Sequence, residues 1–294
     1  MAVEGNEEQL AWERQWRVYA AVAAILGGVL TLAGAFWRFR LLSGPPRVGL
    51  LETLDHAAAP GALGGEQSLR VPAYEFYNDH ATAVLASSVV SALGALAIAA
   101  AVTYLAVATR YRRPGFPALV LWLPVVGAVS QALSTVLATL GTNDTIDTFL
   151  RGPKTLDAAQ DIGAGGLTAI AQILSAGTLA LALSIVLVAI NAMRVGLVTK
   201  FVGIIGIFAG ALLVLPLNPL PVILTLWLLL LGVLFLGRWP GGTPPAWRTG
   251  QAEPWPGGGR RGGRPAPAPE PEPVVAGAPG PGPGARRKKR KKRT

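Results

Sequence analysis

The residue types best suited to bind a metal ion lie in the segment that follows the first long apolar run. Asp55 precedes His56 and Asp79 precedes His80, and these are the only two histidines in the chain. A glutamate stands four residues before His56 and another stands four before Asp79, so a helix in either place would put carboxylate and imidazole on one face. Such a set can bind a divalent cation. We favour the alternative, a solvated acidic loop with hydrogen-bonded histidines, and predict no metal site.

Two of the apolar segments carry a stripe of uncharged polar side chains. Gln131, Thr135 and Thr139 repeat every four residues in one segment, and Gln172 and Ser175 share a face of the next. Because an amide in hydrocarbon is costly unless it is paired, we predict that the two faces meet, with Gln131 and Gln172 at a similar depth.

These polar faces have two interpretations. One is a polar substrate path, and the other is hydrogen bonding between helices, at about 0.6 kcal/mol per bond. Ion and proton paths usually include an ionisable residue inside the membrane. Since the apolar segments contain none, we favour hydrogen bonding between helices.

No arrangement of residues in the chain is typical of a catalytic site. The stretch IGAGGLTA, residues 162–169, has neither the preceding strand nor the third glycine of a dinucleotide-binding turn. Cysteine is absent from the sequence, which excludes disulfides and thiolate chemistry. We therefore predict a protein that is not an enzyme and has no cofactor.

A run of basic side chains near the C-terminus is the strongest charge feature. From Arg238 onward there are 13 basic and 3 acidic residues, so the net charge of +10 belongs entirely to this part of the chain. Each basic side chain near an anionic leaflet contributes about 1 kcal/mol, whereas nucleic acid would be bound non-specifically and in a salt-dependent way. We predict that anionic lipid headgroups or non-specific nucleic acid bind eight consecutive residues, Arg286, Arg287, Lys288, Lys289, Arg290, Lys291, Lys292 and Arg293.

The elements that carry these residues are long apolar segments. The chain is 51% hydrophobic and only 14% charged, whereas charged residues make up about a quarter of an ordinary soluble domain. The first segment, 18–37, has twenty uncharged residues, enough for the roughly 30 Å of a hydrocarbon core. We predict an all-α, polytopic transmembrane helix bundle, within residues 18–239, whose six spans lie near 18–37, 81–108, 117–140, 167–192, 201–217 and 220–238.

Glycines in the fifth of these spans indicate close helix packing. Gly203, Gly206 and Gly210 lie on it, and the last two form a GxxxG pair. Small residues allow helix backbones to approach closely in lipid. We predict packing within one chain, and a homo-oligomer formed through this face is the alternative.

Lysine and arginine are distributed unequally along the predicted spans. With the N-terminus inside, the segments 1–17, 109–116, 193–200 and the C-terminal tail hold 20 basic residues, whereas the outer loops hold 6. Cytoplasmic segments carry the excess of these residues. We therefore predict that the N-terminal segment 1–17 and the C-terminus are both cytoplasmic. Residues 240–294 are rich in Pro, Gly, Ala and Arg, which predicts a disordered tail.

The stretch from Asn191 to Pro256 carries a resemblance to known proteins. Its features are NAMRVGLVTKFVGIIGIFAGALLVLPL, a short last span, and then LGRWPGGTPPAWRTGQAEPWP. This stretch resembles a set of bacterial multi-pass membrane proteins that have a Trp/Pro-rich segment and a basic C-terminal tail. The resemblance implies a bacterial inner-membrane location and implies no activity.

These observations predict a non-enzymatic membrane scaffold or interaction protein. Its partners would be the lipid bilayer and, through the tail, anionic lipid or another polyanion. The alternative is a small-solute transporter or channel that uses the polar faces of the third and fourth spans.

Overall fold

The computed structural model describes residues 2–44, 68–160, 162, 165–215 and 221–253, and these residues are helical without a strand. We number the helices in chain order. They are α1 (Ala2–Leu41), α2 (Val71–Asp79), α3 (Ala81–Arg112), α4 (Leu119–Arg151), α5 (Leu156–Gln160), α6 (Gly166–Leu174), α7 (Gly177–Arg194), α8 (Lys200–Val214), α9 (Val222–Phe235) and α10 (Pro245–Thr249).

Four helical stretches in the described part of the chain are long and apolar enough to cross a membrane. They are Asn6–Leu41, Ala81–Arg112, Leu119–Arg151 and Gly166–Arg194. Their outer faces expose large apolar side chains, and Trp122 and Ile173 are 65% and 77% exposed. An apolar exterior of this extent is typical of a surface that meets lipid rather than water. The all-helical prediction is confirmed, and the architecture fits a membrane protein.

Helix α3 is packed between α1 and α4. Helix α9 lies against α1, α7 lies against α4, and α8 fills the space beside α7 and α9. The fully buried side chains include Leu105 of α3, Ile185 of α7 and Leu228 of α9. Between helices in lipid, the stabilisation comes mainly from close packing, and a continuous core of this kind provides it.

Close contact between α4 and α7 depends on a glycine in each helix. A Cβ atom on Gly127 would lie 2.5 Å from the backbone nitrogen of Leu181, and one on Gly177 would overlap the side chain of Ser130. The absence of side chains at these two positions lets the backbones approach to a distance that no other residue permits.

Two predicted boundaries differ from those of the structure. Helix α1 runs from Ala2 to Leu41 without a break, so the N-terminal segment 1–17 and the first predicted span are one helix. The fourth predicted span is two helices, α6 and α7, which meet at a turn at Ser175 and Ala176. Both residues of this turn are exposed.

The predicted start of the disordered tail at residue 240 is wrong. Helix α10 buries Ala246 and Trp247, and the chain is packed on the bundle as far as Glu253. The prediction was based on the high content of Pro and Gly in residues 240–294. Composition does not show the tertiary contacts that Trp247 makes with the bundle. Residues 254–294, which include the predicted basic run, lie outside the described residues.

Candidate functional site

A buried ion pair joins the first helix to the C-terminal end of α3. The two guanidinium nitrogens Nη1 and Nη2 of Arg112 donate to the two carboxylate oxygens of Glu13, at 2.5 and 2.9 Å. The side chains of Arg112 and Glu13 are 0% and 3% exposed. Gln9 donates a further hydrogen bond to the same carboxylate, at 3.0 Å. A bidentate pair with these additional hydrogen bonds is the geometry in which burial of two charges is tolerated.

The same arginine binds the C-terminal segment, by which we mean residues 240–253. Nε and Nη2 of Arg112 both donate to the carbonyl oxygen of Ala246, at 3.2 and 2.8 Å. Nη1 also donates to the carbonyl of Ala108, at 2.9 Å. Arg112 therefore links three elements at once, namely α1, α3 and α10.

Hydrogen bonds to the turn between α7 and α8 hold the C-terminal segment in place. The indole Nε1 of Trp247 donates to the carbonyl of Leu197, at 2.8 Å. The amide of Glu253 donates to the carbonyl of Val195, at 3.1 Å. This turn contains Gly196, whose φ of +79° lies in the left-handed region that glycine adopts without strain.

Aromatic rings fill the space beside the ion pair. Tyr104 stacks on Trp12 and on Trp247, with ring centroids 5.5 and 5.8 Å apart. Phe235 meets Tyr104 edge-on at 5.2 Å. The guanidinium carbon of Arg112 lies 5.4 Å from the centre of the Trp247 ring, a distance at which the ring attracts a cation. The aromatic cluster therefore stabilises both the ion pair and the C-terminal segment.

The two ends of the described chain meet at this site. The side-chain amide of Asn6 donates to the carbonyl of Thr249, at 3.2 Å. Arg17 donates to the carbonyl of Phe235 at the end of α9, and Arg113 donates to Asn191 of α7 at 2.5 Å. We call this end of the bundle the basic end because its described residues include nine basic side chains, Arg14, Arg17, Arg110, Arg112, Arg113, Arg194, Lys200, Arg238 and Arg248.

The ion pair of Arg112 and Glu13 has a structural role at the basic end. Arg112 and Glu13 are occupied by one another, and Arg112 also donates to backbone carbonyls, so this pair holds elements of the bundle together. The geometry secures the last described turn of the chain to the bundle.

The predicted polar faces of α4 and of the α6–α7 pair meet, but through different residues from those expected. Gln131 accepts a hydrogen bond from Thr178 of α7, and Ser134 donates to the carbonyl of Ala171 in α6, at 2.7 Å. Gln172 and Ser175 are exposed on the other side of their helix. The partner of Gln131 is thus Thr178, which follows the turn at Ser175 and Ala176, and Gln172 does not contribute to this contact.

Thr135 and Thr139 face α3 and α1 rather than α6. The hydroxyl of Thr139 lies 2.8 Å from that of Ser88 and accepts from Nη1 of Arg38, at 3.3 Å. Arg38 follows the first predicted span, and the sequence placed it outside the membrane. Its side chain instead extends to residues inside the second and third predicted spans. An ionisable group therefore lies beside these two spans, although the spans themselves contain none.

The predicted packing glycines lie against other helices of the same chain. A Cβ on Gly203 would contact Met193 at 3.0 Å, one on Gly206 would contact the indole of Trp227 at 2.6 Å, and one on Gly210 would contact Val186 at 2.7 Å. All three glycines are buried. They join α8 to α7 and α9.

The weak metal candidates are only partly described. Nδ1 of His80 is 2.8 Å from the carbonyl of Phe76, and Asp79 ends α2 beside it. Asp55 and His56 lie outside the described residues. Within the described ranges, no three His, Cys, Asp or Glu side chains are close enough to hold a metal ion.

Comparisons of the chain with protein-family models, with curated proteins and with solved structures find no match. Function therefore has to be argued from the residues and their geometry.

Proposed function

We propose that this protein is a non-enzymatic membrane scaffold that holds its polybasic C-terminal tail against anionic lipid of the cytoplasmic leaflet. One observation carries the proposal. Arg112 and Trp247 secure the C-terminal segment to the basic end of the bundle, through the carbonyls of Ala246 and Leu197. The tail therefore starts from a fixed position at one end of the helices.

The proposed topology has six spans, with both termini in the cytoplasm. Contact between Asn6 and Thr249 supports a topology in which both ends of the described chain lie on the same side, with an even number of crossings. That side carries nine basic residues, whereas the opposite end has five in the described part of the chain, Arg38, Arg40, Arg70, Arg151 and Lys154. An excess of Lys and Arg is typical of the cytoplasmic side.

Helices α8 and α9 are the shortest spans in this count. They contain 15 and 14 residues, about 22 and 21 Å at 1.5 Å per residue, against a core of about 30 Å. Helix α8 leaves the basic end and α9 returns to it, where Arg17 binds the carbonyl of Phe235. A pair that crosses fully adds two crossings, and a pair that turns back inside the bilayer adds none. In both cases the total is even, and the two termini are on the same side of the membrane.

The attraction between tail and membrane follows from charge and reach. Eight consecutive basic residues, at about 1 kcal/mol each near an anionic leaflet, are sufficient for stable but salt-sensitive binding. The 32 residues from 254 to 285 span at most about 110 Å when fully extended. The basic run can therefore contact the leaflet beside its own bundle.

The test uses the full chain in nanodiscs of neutral phosphatidylcholine, mixed with vesicles that contain phosphatidylglycerol. Replacing the eight basic residues 286–293 by glutamine should abolish co-sedimentation with these vesicles. The matched control exchanges Arg for Lys and Lys for Arg within the same run, which keeps the charge and should keep the binding. Undiminished binding of the glutamine variant contradicts the proposal, and so does tighter binding of the wild type to single-stranded RNA than to the vesicles.

A small-solute transporter is the second candidate function, and one observation favours it. Arg38 places a cation beside Thr139 and Ser88, where the spans were expected to be free of charge. Exposure of Gln172 and Ser175 argues against a polar path between α4 and α6. In proteoliposomes, a transporter predicts that Gln131→Ala changes solute flux more than it changes protein abundance.

A further inference from the structure

We propose that the pocket around Arg38 is a binding site for a phosphate group, at the end of the bundle opposite to the basic end. This site is independent of the tail and of the scaffold function proposed above. The pocket has a volume of about 390 Å³. Besides Arg38 and Ser88, its lining residues are Ala35, Phe39, Leu42, Ser43, Ser91 and Thr135.

The orientation of Arg38 is determined by two hydroxyl groups. Nη1 donates to Ser88 Oγ at 3.2 Å and to Thr139 Oγ1 at 3.3 Å. These two oxygens are 2.8 Å from each other, and each also lies within hydrogen-bonding distance of a backbone carbonyl of its own helix. The hydroxyls therefore act as acceptors toward the guanidinium, and they hold it without neutralising its charge.

The other side of the guanidinium carries its remaining N–H donors. An arginine has five N–H donors, of which Nη1 supplies two. No residue in the described part of the chain accepts from Nε or Nη2 of Arg38. These two nitrogens form the planar fork that binds two oxygens of a phosphate or carboxylate at once.

Two of the described carboxylates at this end of the bundle have partners other than Arg38. Glu75 pairs with Lys154 at 3.2 Å, and Asp147 pairs with Arg151 at 2.7 Å. A cation that is partly buried and held only by neutral hydroxyls gains stability from an anion. An anionic ligand at Arg38 supplies that charge.

Helix α2 carries a buried hydroxyl at the same end of the bundle. The hydroxyl of Tyr77 in α2 is buried and has no hydrogen-bond partner among the described residues. Burial raises the pKa of Tyr77, and the nearby positive charge of Arg38 partly opposes the rise. Tyr77 is therefore protonated at neutral pH and can donate a hydrogen bond. Buried polar groups without a partner are rare in folded proteins, and a phosphate oxygen is a suitable acceptor.

A phosphate group reaches this pocket from one of two sources. One is the headgroup of a phospholipid, because the neighbouring Phe36 and Phe39 are about half exposed, at 52% and 49%, on the apolar outer face of α1. The other is a free phosphate or phosphomonoester. Recognition by Arg38 is the same for both, so binding measurements with each probe distinguish them.

The experiment uses the full-length protein in a neutral detergent and two probes. Phosphatidylglycerol binding is counted by native mass spectrometry, and inorganic phosphate binding is measured by isothermal titration calorimetry. We expect Arg38→Gln to weaken binding of at least one probe by tenfold or more. The matched control is Arg40→Gln, two residues further along α1 and exposed, which we expect to change affinity less than twofold. The basic tail is identical in both variants, so its background binding cancels.

Saturable binding of phosphatidylglycerol that inorganic phosphate does not displace identifies a lipid site. Binding of inorganic phosphate alone identifies a soluble ligand. Both outcomes support the proposal. It is overturned if wild type binds neither probe, or if Arg38→Gln and Arg40→Gln bind equally well.

Two further variants decide the question if Arg38→Gln does not fold. Arg38→Lys keeps the charge but loses the planar fork, and Tyr77→Phe removes only one hydroxyl. We expect each to weaken binding by threefold or more. Wild-type affinity in both variants overturns the proposal.

Discussion

Glu13 and Arg112 form a bidentate ion pair that is almost completely shielded from solvent, with the two side chains 3% and 0% exposed. The pair connects residues that are 99 positions apart in the chain. It lies beneath the C-terminal segment, whose Ala246 carbonyl accepts from the same guanidinium. The basic end and the position of the C-terminal segment therefore both depend on one arginine.

Glu13→Gln should destabilise the protein by about 3–5 kcal/mol, because it leaves the buried Arg112 charge without a counter-ion. Unfolding by sodium dodecyl sulfate in mixed micelles measures the change. The control is Asp147→Asn, which removes an exposed i,i+4 pair with Arg151 and should cost less than about 0.5 kcal/mol. Equal effects of the two substitutions would show that the buried pair contributes no more than a surface pair.

Trp247→Ala should release the C-terminal segment from the bundle. The substitution removes the hydrogen bond to Leu197 and the contacts with Tyr104 and Arg112, at a cost of about 3–5 kcal/mol for a buried tryptophan. Amide hydrogen exchange of residues 245–253 should accelerate while exchange in α3 stays slow. The control is Trp122→Ala, at a side chain that is 65% exposed. Slow exchange of residues 245–253 in Trp247→Ala would contradict this role for Trp247.

Gly127→Ala should destabilise the packing of α4 on α7. The added Cβ would lie 2.5 Å from the Leu181 nitrogen, so one backbone must move, at about 1–3 kcal/mol. Gly166→Ala is the opposite case, because a Cβ there meets nothing within 4 Å and alanine favours a helix by up to about 1 kcal/mol. The two variants should shift the unfolding midpoint in opposite directions. A rise in the midpoint for both would exclude the close approach at Gly127.

The lack of cysteine makes the proposed topology directly testable. Arg248→Cys lies in α10 at the basic end, and Arg151→Cys lies at the end of α4 on the opposite side, and both positions are exposed. A membrane-impermeant maleimide added to intact cells should label Arg151→Cys only, and labelling of Arg248→Cys should require lysis. Labelling of Arg248→Cys in intact cells reverses the orientation.

The sequence predicted the helical class because hydrophobicity is a local property that composition and length report directly. The segment 81–108 lies within α3, and 117–140 lies almost entirely within α4. Segment ends were less accurate. Helix α4 continues to Arg151 through Asn143, Asp144 and Asp147, because a helix already held by its packed part extends past the apolar region at little cost.

Sequence patterns did not predict the candidate site at the basic end. The charges of the segments that contain Glu13 and Arg112 were used only to predict the orientation of the chain in the membrane. No regular spacing in the sequence connects the two residues. Arg38 is similar, since the sequence shows that it follows an apolar run but not that its side chain turns toward Ser88 and Thr139. Pairings of this kind depend on which helices become neighbours.

By itself, the sequence determined that the chain forms long apolar helices, that it has no cysteine chemistry, and that its charge excess lies in the last part of the chain. The tertiary structure decided which polar groups meet. It joined Gln131 to Thr178 and left Gln172 exposed, and it placed Trp247 on the bundle rather than in the tail. The physical reason is that apolar burial depends on composition along the chain, whereas a buried hydrogen bond or ion pair depends on distances of a few ångströms across it.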